Sequence, residues 1–275
     1  MMAKSHELFA PSRTELDLGD PASIAGAVSR SRPELIANTA AYNDVDGAER
    51  EPGAALRINR DAVAVLGEQA LRHRAALVHY STDFVFDGKK AAPYLESDAP
   101  EPLGAYARSK LAGERALLDL RAPALILRTA WVYSLRRKSF VSTILRLARE
   151  RQELRVVDDQ VGNPTYCADL ARATVELAER LGPDPHAGAV EHAGVYHAAG
   201  GGSCSRFELA RAVLELDPRR EEHVVRAVLP ISSAEMLAPA PRPASAPLDC
   251  TKLERRFGIR LPPWRDALKR ALQGV

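Results

Sequence analysis

Through the first half of the chain, short apolar runs alternate with longer stretches in which apolar residues recur every three or four positions. No other feature restricts the fold as strongly. Glu7–Pro11 reads as a short strand. Pro21–Arg32 reads as a helix opened by Asp20 at its N-cap and Pro21 in its first turn. Leu35–Ala41 is the next apolar run, and Glu51–His73 carries Ala55, Ile58, Val63, Leu66 and Ala70 at helical spacing. Ala75–Phe86 holds a buried strand that ends in hydroxyls, Tyr106–Leu120 is helical, and Ala124–Tyr133 is again a strand. This alternation predicts an α/β fold, a Rossmann-like doubly wound parallel sheet covered on both faces.

After about Phe140 the pattern changes. A helix over Phe140–Arg151 leads to an apolar run at Leu154–Asp158, and further helices are predicted over Asp169–Leu181, Phe207–Leu216 and Trp264–Leu272. Pro183–Gly194 reads as a surface loop, and the Pro- and Ala-rich stretch Pro239–Pro247 excludes regular structure. The expected division is a sheet domain over residues 1–155 and a smaller, interleaved part over 156–275. With 275 residues, 46% apolar and 27% charged, the composition is that of an ordinary globular protein. The 38 lysines and arginines nearly balance 36 acidic residues and are spread out, which argues against a nucleic-acid partner. No apolar run approaches the ~18 residues of a membrane span, and the N-terminus has no signal-peptide pattern. Cys167, Cys204 and Cys250 are far apart without metal-ligand spacing. A reduced, cytoplasmic protein without a cysteine metal site is the expectation.

The sharpest chemical feature is Tyr106-Ala-Arg-Ser-Lys110. Residues four apart share one helix face, and a nearby ammonium is expected to lower the phenol's pKa, suiting it to proton transfer. The same spacing also occurs on solvated helix faces, so context decides. Upstream, His79-Tyr80-Ser81-Thr82-Asp83 puts hydroxyls at a strand's carboxyl end, where doubly wound sheets bind ligands. Ser81 or Thr82 can hydrogen-bond a substrate oxygen there, or simply cap the next turn.

With these motifs the chain resembles the extended short-chain dehydrogenases/reductases and, within them, the dTDP-4-dehydrorhamnose reductases. The resemblance spans nearly the whole chain. It rests on Asn38-Thr-Ala-Ala-Tyr42 with Val45-Asp46, on Tyr80–Gly88, on Tyr106-x-x-x-Lys110, and on Leu127-Arg-Thr-Ala-Trp-Val-Tyr133. Further matches are Asp159–Thr165, Gly194-Val-Tyr-His197, Arg242-Pro243 and Leu248-Asp249. It implies reduction of the C4 ketone of dTDP-4-dehydro-L-rhamnose by NADPH or NADH, with Tyr106 giving the proton and Lys110 lowering its pKa and binding the nicotinamide ribose. Thr82 would orient the ketone oxygen, and Asp83 and Trp131 would contact the substrate. Ala41, Tyr42 and Asn43 would run along the cofactor, and Asp17 and Leu18 would lie near the adenine. Residues 1–155 would then bind NAD(P), and 156–275 the nucleotide sugar. Phe84 follows Asp83 where sugar-nucleotide dehydratases carry a second carboxylate, so reduction fits better than elimination. Arg13 could pair with the 2′-phosphate of NADPH. A homodimer and a Mg²⁺ ion are compatible with the resemblance, but no metal ligand is assignable: Glu150 and Glu153 equally suit a solvated helix face.

The sequence also departs from the family. A Gly-x-x-Gly-x-x-Gly turn, which would bring backbone N–H groups to the cofactor pyrophosphate, is absent; the first glycine is Gly19. Roughly 25–30 residues, most of a βαβ unit, are expected to be missing, with Met1–Leu8 starting near the end of a first helix. In strand order 3-2-1-4-5-6 that unit holds the central strand, and its loss would expose two strand edges. Three explanations stand: a start upstream of Met1, a truncated inactive relative, or closure of the gap by strands 2 and 4. Arg206 stands where relatives often have an aromatic, Met236-Leu237 replaces a Tyr-containing stretch, and Asn43-Asp44 and Ser139 also differ. The competing readings are a non-catalytic binding protein, like the regulatory β subunit of methionine adenosyltransferase, and another sugar-nucleotide 4-ketoreductase or epimerase.

Overall fold

A computed structural model describes residues 6–236 and 238–274. In chain order its elements begin with α1 (Pro21–Ser31), β1 (Leu35–Asn38), α2 (Val45–Arg50), α3 (Pro52–Leu56) and α4 (Ala62–His73). They continue with β2 (Ala76–Thr82), α5 (Ala105–Asp119), β3 (Ala124–Thr129), β4 (Val132–Tyr133), α6 (Phe140–Glu150), β5 (Glu153–Val157), β6 (Val161–Gly162) and β7 (Thr165–Tyr166). The last are α7 (Cys167–Arg180), α8 (Pro185–Glu191), β8 (Gly194–His197), β9 (Cys204–Ser205), α9 (Arg206–Leu216), β10 (Ala227–Ile231), α10 (Thr251–Phe257) and α11 (Trp264–Leu272). The cap predicted at Asp20 forms: its carboxylate accepts from the Ala22 N–H, with Pro21 in the first turn. Ser139 and Ser205 also form capping boxes on α6 and α9.

The main sheet is fully parallel in the order β1-β2-β3-β8. Leu35 lies opposite Ala76, Leu77 opposite Ala124, and Leu125 opposite Gly194. Neighbouring residues of one strand enter opposite cores, as the pleat requires. Leu77 and Ile126 pack with Ile24, Leu66 and Leu117. Val78, Leu125 and Leu127 pack with Leu170, Leu177 and Phe257 on the other face. A third core joins α6, α9 and α11 to a small parallel sheet of β5 and β10. Among the described residues no helix is long and apolar enough to cross a membrane.

Three expectations need correction. Glu7–Pro11 forms no strand; Leu8 is 58% and Phe9 52% exposed. Strands 2 and 4 therefore do not close a gap. The sheet starts at β1, which occupies the fourth place in the expected order. Among the described residues β1 pairs only with β2. A strand at Glu7–Pro11 would need an open strand edge to pair with, and among the described residues the segment pairs with none. Second, Pro183–Gly194 contains α8: the Asp184 carboxylate accepts from the Ala187 N–H and Pro185 occupies the first turn, so these residues start a helix rather than a loop. Third, the strand expected over Ala124–Tyr133 is broken after Thr129, because Trp131 adopts a left-handed backbone with φ 44°. The expectation for Met1–Leu8 falls mostly on residues 1–5, and that for Met236-Leu237 partly on residue 237, both outside the described residues.

Candidate active site

Helix α5 presents the Tyr106/Lys110 pair. Its first N–H, from Ala105, donates to Glu49 Oε1 at 2.6 Å. Gly104 leaves room for that carboxylate, since an added Cβ would come within 2.7 Å of Glu49 Oε1. Lys110 is buried, and its Nζ donates to the Tyr80 carbonyl at 2.6 Å while lying 3.5 Å from His79 Nε2. Burial pulls the Lys110 ammonium down to about 8. Burial, then the Lys110 charge, holds His79 well below its ordinary range, so this imidazole is neutral. The Tyr106 phenol is pushed up to about 12, first by burial; the Thr82 hydroxyl pulls it down and the Asp83 charge raises it. The expected lowering by Lys110 is thus corrected. The ammonium is held on the Tyr80 carbonyl, and desolvation dominates the phenol. At neutral pH the phenol is fully protonated, the form that donates.

Thr82 ends β2, and a single 3₁₀ turn over Asp83–Val85 follows. The Thr82 hydroxyl accepts from the Phe84 N–H at 3.2 Å and donates to Asp83 Oδ1 at 3.1 Å. It therefore caps the turn and also faces the phenol. Phe84 packs edge-on against the Tyr106 ring with centroids 6.0 Å apart. Asp83 is 2% exposed and its Oδ2 has no partner among the described residues. Burial raises its carboxyl from the ordinary 3.8 to about 7, against the pull of Thr82 and Arg206.

That shift has a testable sign. Below pH 3.8 both folded and unfolded chains carry the Asp83 proton. Between there and about 7 only the folded chain keeps it, so this group lowers stability as pH rises through that window. Neutral His79 and His197 act in the opposite sense below about 6.5, where the unfolded chain would protonate them. Both are shared by wild type and Asp83→Asn and cancel in the difference. Asp83→Asn is expected to gain stability relative to wild type from pH 4 to pH 7 and then level off. A pH-independent difference in unfolding free energy contradicts the shift.

Trp131 lies in the loop between β3 and β4. Gly162 permits its position, because a Cβ there would meet the indole at 2.6 Å. The ring bridges two cores and carries the Arg206 guanidinium on its face, 3.5 Å from the ring centre. Arg242 donates to both oxygens of Asp46 at 3.0 and 3.1 Å. This joins two of the segments that carry the sequence resemblance.

Ala41, Tyr42 and Asn43 form the loop after β1. Buried Asn59, which the sequence reading missed, fixes this loop to α5. Its Oδ1 accepts from the Tyr42 N–H at 2.9 Å, and its Nδ2 donates to the Tyr42 carbonyl at 3.1 Å and to Ser109 Oγ at 2.9 Å. Ser109 in turn donates to the Tyr106 carbonyl at 2.7 Å. Asn59 sits in a π-helical turn over Arg57–Asp61, a distortion common at functional sites. Only that break in helical geometry, invisible in the residue types, marks it. Asp17 and Leu18 precede α1: Asp17 Oδ1 accepts from the Gly19 N–H at 2.7 Å, and Leu18 packs on the Ile24 core. An added Cβ on Gly19 would lie 3.7 Å from Arg57, which sets this turn beside the π-helical segment. Arg13 is exposed in the preceding turn and makes no ion pair among the described residues. Among the described residues no group of three or more His, Cys, Asp or Glu side chains could hold a metal ion.

Comparisons with known proteins bear on this geometry. The family model described as the RmlD substrate binding domain matches residues 1–275. A dTDP-4-dehydrorhamnose reductase of Burkholderia thailandensis is 40% identical over 259 residues, 93% of this chain and 87% of that protein. The dTDP-4-dehydrorhamnose reductase of Escherichia coli is 38% identical over 259 residues, 93% of this chain and 84% of its own length. The crystal structure of the Bacillus anthracis dTDP-4-dehydrorhamnose reductase in complex with NADP superposes with a TM-score of 0.88 at 32% identity, covering 99% of this chain and 92% of that one.

Proposed function

The chain belongs to the dTDP-4-dehydrorhamnose reductase family, and on that premise we propose that it reduces the C4 ketone of dTDP-4-dehydro-L-rhamnose to dTDP-L-rhamnose with NADPH. The observation that carries the reading is the meeting of a protonated phenol, a strand-end hydroxyl and an unpartnered carboxylate oxygen at the carboxyl end of β2.

The nicotinamide half of the cofactor fits the residues present. Lys110 is fixed at the sheet's carboxyl end beside Tyr106, and the Ala41–Asn43 loop is pinned to the same helix by Asn59. The pyrophosphate half lacks a glycine-rich turn among this chain's residues. NADPH supplies the hydride when bound. The residues do the rest. On substrate binding Thr82 turns its one hydroxyl proton from Asp83 Oδ1 to the ketone oxygen and holds that oxygen against the phenol. Tyr106 Oη releases its proton to that oxygen as negative charge develops there, and the resulting phenolate lies on the helix face that carries Lys110. Asp83 Oδ2, buried without a partner, accepts from a sugar hydroxyl. Trp131 closes the apolar side of the sugar site.

The test is turnover by the purified chain. Stoichiometric NADPH consumption with dTDP-4-dehydro-L-rhamnose is expected. Conversion of the sugar without net cofactor consumption would indicate epimerisation. Failure to bind NADPH in a calorimetric titration would favour a non-catalytic relative. Arg13 is proposed to pair with the 2′-phosphate of NADPH. Arg13→Ala should then narrow the NADPH/NADH preference about 10-fold, the size of one charge-assisted hydrogen bond. An unchanged preference removes Arg13 from cofactor selection.

A further inference from the structure

Arg206 is the first residue of α9, and the helix start around it is self-satisfied. Ser205 Oγ accepts from the Glu208 N–H at 3.0 Å and Glu208 Oε2 from the Ser205 N–H at 2.7 Å, while the Arg206 N–H donates to the Gln160 carbonyl at 3.2 Å. The side chain is not satisfied in this way. Its guanidinium lies flat on Trp131 at 3.5 Å and 5.1 Å from the Phe140 ring, and among the described residues it donates no hydrogen bond and makes no ion pair. Other partly or fully buried arginines differ. Arg128 is held by Glu114, Arg149 by Asp217 and Glu222, and Arg242 by Asp46.

A stacked guanidinium uses its π face, which leaves its in-plane N–H donors pointing outward. Burial lowers its pKa only to about 10, so it stays charged at neutral pH. Its electrostatic neighbours include Asp83, which attracts, and Arg242, which repels and is already paired with Asp46. The Asp83 carboxylate lies beyond ion-pair distance among the described contacts and keeps its own Oδ2 free. Arg206 is therefore a cation stacked on Trp131 whose N–H donors have no hydrogen-bond or ion-pair partner among the described residues. A diphosphate is the matching group: a doubly charged anion whose oxygens accept bidentate guanidinium bonds. In a nucleotide sugar it is joined to C1, across the ring from the reacting C4.

We propose that Arg206 grips the diphosphate of the nucleotide sugar and so positions the hexose between Trp131 and Tyr106. This rests on the proposed function above. Arg206 is a positioning residue for the reaction, and its stacking on Trp131 gives the guanidinium a fixed plane from which to bind.

The test compares wild type, Arg206→Gln and Arg206→Lys, using dTDP and thymidine as calorimetric probes and dTDP-4-dehydro-L-rhamnose as substrate. Arg206→Gln is expected to weaken dTDP binding about 10- to 100-fold, the range of a charge-assisted contact. It should leave thymidine and NADPH binding unchanged and raise KM for the sugar nucleotide more than it lowers kcat. Arg206→Lys, which keeps the charge without the planar fork, should recover only part of the dTDP affinity and fall between Arg206→Gln and wild type. Equal losses of thymidine and dTDP binding would mean that Arg206 acts only by packing Trp131, and would overturn the proposal. So would a Gln variant with wild-type dTDP affinity in a chain that turns over the sugar nucleotide. A wild-type chain that binds NADPH and dTDP yet reduces no sugar nucleotide would overturn the proposed function and leave the diphosphate site standing. One that does not bind dTDP would overturn both.

Discussion

Tyr106→Phe is expected to lower kcat for sugar-nucleotide reduction by about 10²- to 10⁴-fold, the range over which a positioned proton donor acts. NADPH affinity and thermal stability should stay close to wild type. The phenol faces only the Thr82 hydroxyl, and that hydroxyl keeps its bonds to Asp83 Oδ1 and the Phe84 N–H when the phenol oxygen is removed. The ring's apolar contact with Phe84 survives in phenylalanine. The size of the effect follows from the site's electrostatics. Burial keeps the phenol protonated, up to about 12, while Thr82 offers the one influence that draws it down. As charge grows on the substrate oxygen, the proton moves along a short path already lined by Thr82 and Tyr106. Removing the proton leaves the developing alkoxide with only the Thr82 hydroxyl. Turnover is measured by steady-state NADPH consumption and the fold by thermal unfolding. A Phe variant retaining more than a tenth of wild-type kcat removes Tyr106 as the proton donor.

Glu114→Ala is expected to destabilise the fold by about 3–5 kcal/mol, because it leaves a buried arginine unpaired. Glu114 on α5 is fully buried. Its carboxylate accepts from Arg128 Nε at 3.0 Å and Nη2 at 2.7 Å and also from the Ser81 hydroxyl. Arg128, on β3, is 3% exposed and stacks over Phe86 at 5.1 Å. The pair thus locks the helix that carries Tyr106 to the strand that leads to Trp131. At about 2–4 °C per kcal/mol for a chain of this size, the melting temperature should fall by on the order of 10 °C. Glu114→Met combined with Arg128→Met removes both charges and should be clearly more stable than Glu114→Ala alone. If the single variant loses less than about 1 kcal/mol, the pair is not desolvated as its geometry indicates.

How much of this was legible depends on the range of the interaction. The elements that rest on local rules stand close to where the residue pattern puts them. Asp20-Pro21 starts α1. The apolar spacing of Ala55 to Ala70 runs through α3 and α4, and the hydroxyl-ended run at Ala76–Thr82 is a central strand. Those signals are period and cap, which neighbouring residues set by themselves. Where local signals were present but read against composition, as with Asp184-Pro185 in a Pro- and Gly-dense stretch, a helix was missed. The Tyr106/Lys110 face and the Thr82-Asp83 strand end were equally readable, because helix period and strand-end position follow from sequence distance alone.

Sequence distance left the rest undecided. That β10 pairs with β5 joins segments separated by 74 positions in a parallel register, from Ala227 opposite Glu153 to Ile231 opposite Val157. That Asn59 ties Tyr42 to Ser109, that Arg242 crosses to Asp46, and that Arg206 lies on Trp131 are meetings of distant residues. The signs of the pKa shifts are likewise tertiary. Proximity along a helix argued that Lys110 would lower the Tyr106 phenol. Packing instead buried both groups and turned the ammonium onto the Tyr80 carbonyl. Which residue types share a helix face or a strand end follows from residue spacing, since period is a local property. Which of them lose water and which find partners follows from long-range packing, since desolvation depends on what the rest of the chain places around them.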